Sequence, residues 1–379
     1  MDLAELAEAK RIVVKVGSSS LTDEHYRLEP RKVEKLVQEI VELRNRDYGK
    51  EVILVSSGAI GAGIGKLGLK QRPRDIKVLQ ATAAVGQSIL MSTYDKYFSA
   101  YNQIIAQVLL THSAFFNRQW YLNLRNTLVT LLKSGIIPVI NENDTIAVDE
   151  IKLGDNDNLS ALVACNLDAD LLIILTNTDG LFTYDPRRSK RAELIPVVDE
   201  ITPEIEHIAE RTGSAGAGAG VGGMKTKIQA AKVTMKAGIP LIIANSSEER
   251  IIARIIDGER LGTLFKPKIM RKMRSKGQWI LFASSPKGRI EVDEGAKTAL
   301  IKNSGSLLPP GIVSVVDEFR SGDTVSIVDT CGVEFARGLS NYSSSDIEKL
   351  KGRQSREIEE ILHRKDHSEI VYRGNLVLL

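Results

Sequence analysis

Two short stretches place a lysine beside small residues, where a predicted strand ends or a predicted helix begins. One is GVGGMKTK, residues 220–227, and the other is RIVVKVGSSS, residues 11–20. A glycine-rich turn lets backbone N–H groups approach an anion closely, and the positive end of the following helix favours the same negative charge. Lys15 and Lys227 are therefore predicted to clamp phosphates, which indicates a protein that handles a nucleotide.

The glycine-rich stretch is not a P-loop, because GxxxxGK[ST] is absent and Lys227 lies inside the predicted helix. A flexible surface linker is the alternative interpretation of the Gly/Ala/Ser run at 213–223. Its position between two predicted helices favours an ordered phosphate loop. Lys15 also has an alternative interpretation, namely a lysine at the end of a strand that points to solvent. Because residues 12–14 and 16 are all apolar, that strand is buried on both faces and its lysine needs a partner.

The densest polar cluster is PVINENDTIAVDEIKLGDNDNLSALVA, residues 138–164, which interleaves six carboxylates with four asparagines. Amides and carboxylates together suit a polar metabolite that carries its own ammonium and carboxylate groups. A calcium loop is an alternative, but the DxDxDG…E spacing is missing. A solvated loop is another. Against it, GDNDNLSALVA has Asp and Asn at a predicted helix start, where their polar groups are held in place.

Six apolar, β-branched runs alternate with segments of helical periodicity. The runs are Arg11–Val16, Glu51–Ser57, Ile104–Leu110, Ile136–Asn141, Leu171–Thr176 and Leu241–Asn245. Such strands, separated by helices, predict a parallel sheet with helices on both sides, an α/β domain. The ligand is expected at the carboxyl ends of the strands, where the polar candidates fall. One helical segment has a single apolar face, formed by Val33, Leu36, Val37, Ile40 and Val41.

SSGAIGAGIGKLG, residues 56–68, is a second loop of small residues after a buried strand. Glycines in such a loop serve either close approach to a ligand or close packing of a helix on the sheet. Both are expected here. Ser56, Ser57 and Gly58 are predicted to face the ligand, and the later glycines to pack.

The chain changes character after KPKIMRKMRSK, residues 266–276, which has six basic residues in eleven. Short alternating runs follow, namely GRIEV, IVSVV, DTVSIV and EIVYRGNLVLL, and they predict a small β-rich domain. Residues 277–379 carry thirteen Lys and Arg against fifteen Asp and Glu. A strong nucleic-acid binder has a concentrated basic surface. Here the basic residues are concentrated only in the segment 266–276, and the small domain itself is close to neutral. RNA binding is therefore not expected.

Length and composition exclude several classes of protein. With 379 residues, 43% hydrophobic and 26% charged, the chain is long enough for two or more domains. MDLAELAEAK lacks the features of a signal peptide, and no apolar stretch reaches about 20 residues, so a cytoplasmic protein without a membrane span is expected. Cys165 and Cys331 show no metal spacing, and the five histidines show neither HExxH nor ligand pairing. The usual zinc and catalytic-triad chemistries are thus excluded.

Several stretches together resemble the amino acid kinase family, in the branch that phosphorylates free glutamate and carries a C-terminal PUA domain. They are VVKVGSS, VSSGAIGAG, PVINEND, IKLGDNDNLSA, GLFTYDPR and GGMKTK, and for the PUA part VDEGAKTALI, SLLPPGI and ARGLSNYSS. The resemblance covers nearly the whole chain beyond residue 10. It implies a three-layer, parallel-sheet amino acid kinase domain at 9–262, a basic linker at 263–276 and a small β-rich PUA domain at 277–379, with its core near 288–367.

The resemblance also implies roles for individual residues. Lys15 and Lys227 hold the ATP phosphates, and Asp157 organises the two lysines and the reacting groups. Glutamate is bound by Ser57, Asp144 and Asn156. The ATP site is lined by Lys15, Thr176, Asn177, Val221, Gly222, Gly223, Met224, Lys225, Thr226 and Lys227. Mg²⁺ is expected with ATP, and no protein residue is predicted to bind the metal.

Two positions depart from the family pattern. Asn177 stands where Asp is frequent, and Val221 stands where Thr is frequent. Asparagine keeps the hydrogen-bonding capacity but loses the charge, and valine loses a hydroxyl. The nucleotide contacts at these two positions are therefore open.

The implied reaction is ATP-dependent phosphorylation of the γ-carboxylate of L-glutamate to L-glutamyl 5-phosphate, the first step of proline biosynthesis. A free γ-carboxylate has a pKa near 4.3, so it is already an ionised nucleophile at neutral pH and needs no general base. The family further implies feedback inhibition by L-proline, hand-off of the product to glutamyl phosphate reductase (glutamate-5-semialdehyde dehydrogenase), and a homodimer or homotetramer. The sequence does not decide proline sensitivity or the number of subunits.

Two alternative functions stay open at this point. One is another amino acid kinase, acting on acetylglutamate, aspartate or a nucleoside monophosphate. The PUA-like tail and the NEND and GDNDNLSA motifs argue against it. The other is an RNA-binding protein that acts through the PUA-like domain. The intact set of Lys15, Asp157 and Lys227 and the near-neutral small domain argue against that alternative.

Overall fold

The computed structural model describes residues 3–46, 50–147, 156–213, 223–267, 277, 280, 286–302 and 305–379. Contacts between residues divide the chain into two compact units. The larger comprises Met1–Ala114 with Gln119–Met273, and the smaller comprises Phe115–Arg118 with Arg274–Leu379. Most of the predicted basic linker, residues 268–276, lies outside the described residues. The domain limits at 262 and 277 stay predictions.

An eight-stranded sheet forms the centre of the larger unit. Its strands are β1 (Arg11–Val16), β2 (Glu51–Ser56), β3 (Ile105–Leu110), β4 (Ile137–Glu142), β5 (Leu171–Thr176), β6 (Val197–Val198), β7 (Leu241–Asn245) and β8 (Thr263–Phe265). Their spatial order is β3-β4-β2-β1-β5-β7-β8-β6. The six longer strands run parallel, and β8 is antiparallel to β7. All six predicted strands are thus confirmed. Strands β6 and β8 are too short to show a period in the sequence.

Helices cover both faces of this sheet. They are α1 (Pro30–Arg46), α2 (Ala59–Leu67), α3 (Ile76–Ser99), α4 (Ser113–Phe116), α5 (Arg118–Lys133), α6 (Asn156–Asn166), α7 (Pro203–Gly213), α8 (Met224–Lys236) and α9 (Ile251–Ile256). The apolar face predicted on α1 is buried and packs with Ile12, Val14 and Val16 of β1. Because side chains alternate along a strand, Lys15 faces the other side, where it meets α6. The predicted three-layer α/β domain is confirmed.

The smaller unit has its own sheet and core. Its strands are β9 (Gly288–Val292), β10 (Ile312–Val316), β11 (Thr324–Val328), β12 (Glu334–Leu339) and β13 (Leu376–Leu378), in the order β10-β9-β11-β12-β13. Its helices are α10 (Glu294–Lys302), α11 (Ser344–Leu350) and α12 (Ile358–Leu362). Only β9 and β11 pair in parallel. The predicted β-rich domain is confirmed, although the charged sequence of β12 did not indicate a strand.

Helices α2 and α3 pack closely through glycine. A Cβ atom on Gly86 would lie 1.7 Å from the carbonyl oxygen of Ala59, and one on Gly63 would lie 2.0 Å from that of Thr82. Gly63 therefore serves the close packing of α2 on the neighbouring helix α3, whereas the sequence predicted packing of a helix on the sheet.

Gly86→Ala is expected to lower the free energy of unfolding by about 3 kcal/mol, because two helix backbones would have to separate. Gly65→Ala is the matched control, since the nearest atom to its Cβ would be Cγ of the flexible Arg27 side chain, at 3.3 Å, and no backbone atom outside its own helix would lie closer than 3.7 Å. It should change stability by less than about 1 kcal/mol. Urea unfolding of both variants measures the difference. Equal losses of unfolding free energy would show that the close packing of α2 on α3 does not determine the stability of the domain.

Candidate active site

A buried ion cluster joins β1 to the first turns of α6 and α8. Lys15 Nζ lies 2.6 Å from Asp157 Oδ1, and Lys227 Nζ lies 3.1 Å from Asp157 Oδ2. The two lysine side chains are 6% exposed and that of Asp157 is 1% exposed. The partner that the apolar strand required for Lys15 is therefore Asp157. The structure brings together the three residues predicted to be catalytic.

The electrostatic balance of this cluster favours an anion. Burial would by itself raise the pKa of Asp157, but the charges of Lys15 and Lys227, with hydrogen bonds from Lys15 and Thr226, outweigh it and hold the pKa well below its usual range. One carboxylate is therefore shared by two buried ammonium groups. Buried ammonium groups are strong hydrogen-bond donors to an anion, and a phosphate group is such an anion.

The start of α8 offers further groups to the same anion. Thr226 Oγ1 lies 2.6 Å from Asp157 Oδ2 and 2.8 Å from the carbonyl oxygen of Gly223, so it ties the first turn to the cluster. Gly223 is the N-cap residue, and it supplies no side-chain hydrogen bond to the first N–H groups of the helix. Free N–H groups at a helix N-terminus are a ready anion site. This end of α8 fits the phosphates of a nucleotide.

The other residues predicted to bind the nucleotide fall in different places. Val221 and Gly222 lie outside the described residues. Lys225 is exposed and its Nζ lies 3.0 Å from Glu210 Oε1, so its side chain is directed away from Asp157. Thr176 ends β5, and Asn177 follows it at the carboxyl edge of the sheet. Within the described part of the chain, no hydrogen bond links Thr176 or Asn177 to the ion cluster.

A cavity with a polar lining adjoins the cluster, because its residue Asn156 directly precedes Asp157. Ser57, Asp144 and Asn156, the three predicted substrate residues, all line this cavity. Asn156 Nδ2 donates to Ser57 Oγ at 2.9 Å and to Asn141 Oδ1 at 3.0 Å. Asn156 Oδ1 is buried and accepts no hydrogen bond from any described residue. It is therefore available to a donor group of a ligand.

Asp144 gives the cavity a titratable group near neutral pH. Burial raises the pKa of Asp144 to about 7, and the nearby charge of Glu142 adds to the increase. The charge of Arg72, which also lines the cavity, acts in the opposite direction. A cation entering the cavity, such as a substrate ammonium group, would favour the ionised carboxylate in the same way as Arg72 does.

Sequence reasoning did not assign a role to several residues that shape this cavity. Gln87 Oε1 accepts a hydrogen bond from Asn141 Nδ2 at 2.8 Å, and Asn141 Oδ1 also accepts the backbone N–H of Glu142 at 2.9 Å. These contacts fix the amide orientation of Asn141 and, through it, that of Asn156. The polar cluster at 138–164 already contained Asn141. Gln87, in the middle of α3, and Arg72, in the loop before α3, belong to no motif that the sequence displays.

The described residues contain no group of three or more His, Cys, Asp or Glu side chains arranged to hold a metal ion. Within the same residues, no helix combines the length and the apolar character that crossing a membrane requires. Cys165 is buried in α6 and Cys331 is exposed, and both are free thiols.

The structure joins a parallel α/β sheet to a buried pair of lysines, one on β1 and one on α8, and a family model identifies the class of protein. The model described as “Amino acid kinase family” matches residues 10–245, which include every site residue named above. The chain belongs to the amino acid kinase family. A second model, described as “PUA domain”, matches residues 288–362 and confirms the predicted identity of the β-rich domain.

The particular proteins that the chain resembles over nearly its full length are named glutamate 5-kinase. That of Moorella thermoacetica is 49% identical over 374 residues, which is 99% of this chain and 97% of the relative. That of Caldanaerobacter subterraneus subsp. tengcongensis is 51% identical over 369 residues, 97% of this chain and 98% of the relative. Among solved structures, UMP kinase from Bacillus anthracis aligns with 69% of this chain and 97% of its own, at a TM-score of 0.46 and 18% identity.

Proposed function

We propose that this protein is a glutamate 5-kinase, which transfers the γ-phosphoryl group of ATP to the γ-carboxylate of L-glutamate and forms L-glutamyl 5-phosphate. This is the first step of proline biosynthesis. The observation that carries the proposal is the joining of two sites through consecutive residues. Asn156 belongs to the polar cavity and Asp157 to the lysine cluster. A carboxylate held by the first would lie beside a phosphoryl group held by the second.

The polar cavity is proposed as the glutamate site. Asp144 would receive the α-ammonium group, because it is the carboxylate there whose charge a cation restores. Ser57 would donate its hydroxyl hydrogen to the γ-carboxylate, and Asn156, which donates to Ser57 Oγ, would hold that hydroxyl in place. This end of the cavity is the one nearest the lysine cluster, because Asn156 directly precedes Asp157 in the chain.

The lysine cluster and the start of α8 are proposed as the phosphate part of the ATP site. Bound ATP would supply the phosphoryl group, and Mg²⁺ would neutralise part of its charge. Lys15 and Lys227 would stabilise the negative charge on the transferring phosphoryl oxygens, and Asp157 would keep their ammonium groups in fixed positions. Gly223–Lys227 would cradle the phosphates, together with Val221 and Gly222 before them. Thr176 and Asn177, at the end of β5, would contact the rest of the nucleotide.

The chemistry requires placement and charge rather than a proton acceptor. The γ-carboxylate of glutamate is ionised at neutral pH, so an oxygen of this carboxylate attacks phosphorus without a general base. The site must hold two anions in line against their repulsion, and the two buried lysines are proposed to do this. That requirement explains why lysines rather than a histidine stand at the reacting centre.

The alternatives are less well supported. Acetylglutamate has lost the ammonium charge that would pair with Asp144, and the curated relatives are named for glutamate. A function in RNA binding alone would not require a buried Lys–Asp–Lys cluster in the other domain. Inhibition by L-proline, hand-off of the reactive acyl phosphate to a reductase, a homodimer or homotetramer and a cytoplasmic location accompany the proposal as further expectations.

The proposal is tested by trapping the product. Protein, ATP and Mg²⁺ are incubated with L-glutamate and hydroxylamine, which converts an acyl phosphate into a stable hydroxamate. Glutamate-dependent hydroxamate and ADP are expected in equal amounts, with little product from N-acetylglutamate. Equal or faster turnover of N-acetylglutamate would refute the assignment, and so would release of ADP without hydroxamate.

The pH dependence of glutamate use is expected to follow Asp144. Its pKa of about 7 means that the carboxylate loses its charge as the pH falls below neutrality. At saturating ATP and Mg²⁺, kcat/KM for glutamate should therefore fall about tenfold between pH 8 and pH 6. The γ-carboxylate of glutamate stays ionised in this range. Asp144→Asn should have a lower kcat/KM without this pH dependence, and an unchanged profile in that variant would contradict the role of Asp144.

The smaller domain is not expected to be needed for catalysis, because every proposed chemical group precedes residue 230. A chain ending at Lys266 should fold and keep glutamate-dependent ADP release, while regulation or assembly changes. Circular dichroism checks its folding, and the full-length protein is the control. A folded fragment without activity would show that the PUA domain completes the active site.

A further inference from the structure

The proposed glutamate site has an unmet charge requirement. L-Glutamate carries an α-carboxylate, an α-ammonium group and the reacting γ-carboxylate. Ser57, Asp144 and Asn156 offer a hydroxyl, a carboxylate and an amide, so none of them is a counter-ion for the α-carboxylate. Lys15 and Lys227 are paired with Asp157, and in the proposed function they hold the phosphates. Placing a carboxylate beside Asp144 and Glu142 without a cation would be unfavourable.

Arg72 is the only lysine or arginine among the described residues that line this cavity. It lies in the loop between α2 and α3, and its guanidinium is partly buried, since burial lowers the pKa of Arg72 from its ordinary value. The structure gives this guanidinium neither a hydrogen bond nor an ion pair with any described residue. Its charge acts on Asp144, so the two side chains lie near each other.

Other partly buried arginines of the protein use their donors on protein groups. Arg11 Nε donates to Glu51 Oε2 at 2.7 Å, and Arg44 Nη2 donates to the carbonyl oxygen of Gly135 at 2.9 Å. Arg125 pairs with Asp168 at 2.5 Å. An arginine that is partly removed from water without such a partner leaves several strong donors unused. At Arg72 these donors are available to whatever fills the cavity.

We propose that Arg72 binds the α-carboxylate of the amino acid substrate, while Asp144 binds the α-ammonium group on the same carbon. The planar guanidinium can hold a carboxylate through two parallel hydrogen bonds, which a lysine cannot. Arg72 and Asp144 then recognise the zwitterionic end of the substrate, and Ser57, held in place by Asn156, binds the other end beside the lysine cluster. Arg72 is thus a specificity residue for a free α-carboxylate. This inference rests on the proposed function of the same site.

A different role for Arg72 makes a different prediction. If Arg72 only offset the negative charges of Asp144 and Glu142, its loss would weaken the site for every amino-acid-like substrate by a similar factor. If it binds the α-carboxylate, its loss should affect only substrates that carry this group. L-Isoglutamine, the α-amide of glutamate, keeps the ammonium group and the γ-carboxylate and lacks only the α-carboxylate charge.

The test compares L-glutamate and L-isoglutamine as substrates of the full-length wild type, Arg72→Gln, Arg72→Lys and Arg74→Gln. Arg74 is a matched control, because it is exposed in the same loop and does not line the cavity. Wild type should prefer glutamate strongly in kcat/KM. In Arg72→Gln this preference should fall by about 30-fold, mainly through a higher KM for glutamate, as expected for losing a hydrogen-bonded charge pair. Arg72→Lys should be intermediate, and Arg74→Gln should match wild type.

Several outcomes would overturn the inference. One is an equal loss for both substrates in Arg72→Gln, which would leave Arg72 as a counter-charge for the acids. Another is a wild type that uses both substrates equally well. This result would show that the site does not recognise the α-carboxylate, even if Arg72→Gln does not fold. A wild type that phosphorylates neither substrate would refute the proposed function itself, and the inference with it.

Discussion

Replacing Lys227 or Lys15 by methionine is expected to lower kcat by about 100-fold or more. Each lysine is buried against Asp157, where its charge is not screened by water, and each is proposed to stabilise the charge of the transferring phosphoryl group. Removing one leaves Asp157 paired with the other. The protein should therefore remain folded while it loses the electrostatic stabilisation of the transition state.

Steady-state kinetics with ATP and glutamate measure this effect. Lys232→Met is the matched control, because Lys232 lies on the same helix α8 but is partly exposed and paired with Glu206. It should keep most of the wild-type kcat. A Lys227→Met or Lys15→Met variant that retained more than roughly half of the wild-type kcat would show that this lysine does not act on the phosphoryl group.

Asp157→Asn is expected to destabilise the fold as well as depress kcat. It removes the carboxylate that both buried ammonium groups share, and these two groups then repel each other where little water screens them. Breaking a buried ion pair from one side costs about 3–5 kcal/mol of stability. The Lys227→Met variant keeps a neutral Lys15–Asp157 pair and should lose less than about 2 kcal/mol. The stability of the cluster therefore depends more on its one acid than on either base.

Denaturant unfolding of these variants gives the comparison. Glu210→Gln serves as the surface control, since it breaks an exposed pair with Lys225 and should cost less than about 1 kcal/mol. If Asp157→Asn were as stable as Lys227→Met, the two lysines would not both be charged in the folded protein. The electrostatic account of the phosphate site would then fail.

The larger domain could be predicted well from the sequence because its central strands are buried on both faces. Strands β1 and β5 are nearly continuous apolar runs, so their limits and the polar residues after them are visible locally. The same local information showed that Lys15 needed a partner. Its identity, Asp157, came only from the resemblance, because strand and helix periodicity do not say which helix start lies over which strand end.

The unpredicted part of the site consists of contacts between distant segments. Gln87 meets Asn141 across 54 positions of the chain, from the middle of a long helix with no motif of its own. Arg72 reaches the cavity from a loop whose sequence, KQRPR, is typical of an exposed turn. Both placements depend on the close glycine packing of α2 on α3, which only the folded structure reveals. Local patterns predict elements, and tertiary packing decides which polar side chains reach the cavity.

The central claim is that the γ-carboxylate of glutamate attacks the phosphorus of ATP. Following one oxygen atom of this carboxylate tests the claim most directly. The enzyme is given ATP, Mg²⁺ and L-glutamate whose γ-carboxylate carries the heavy isotope of oxygen, and the product is cleaved with hydroxylamine at its carbonyl carbon. If the γ-carboxylate attacks phosphorus, its oxygen becomes the bridge of the acyl phosphate and leaves with the phosphate. Mass spectrometry should then find one heavy oxygen in the released phosphate. Phosphate without the heavy isotope would mean that water, and not glutamate, accepts the phosphoryl group.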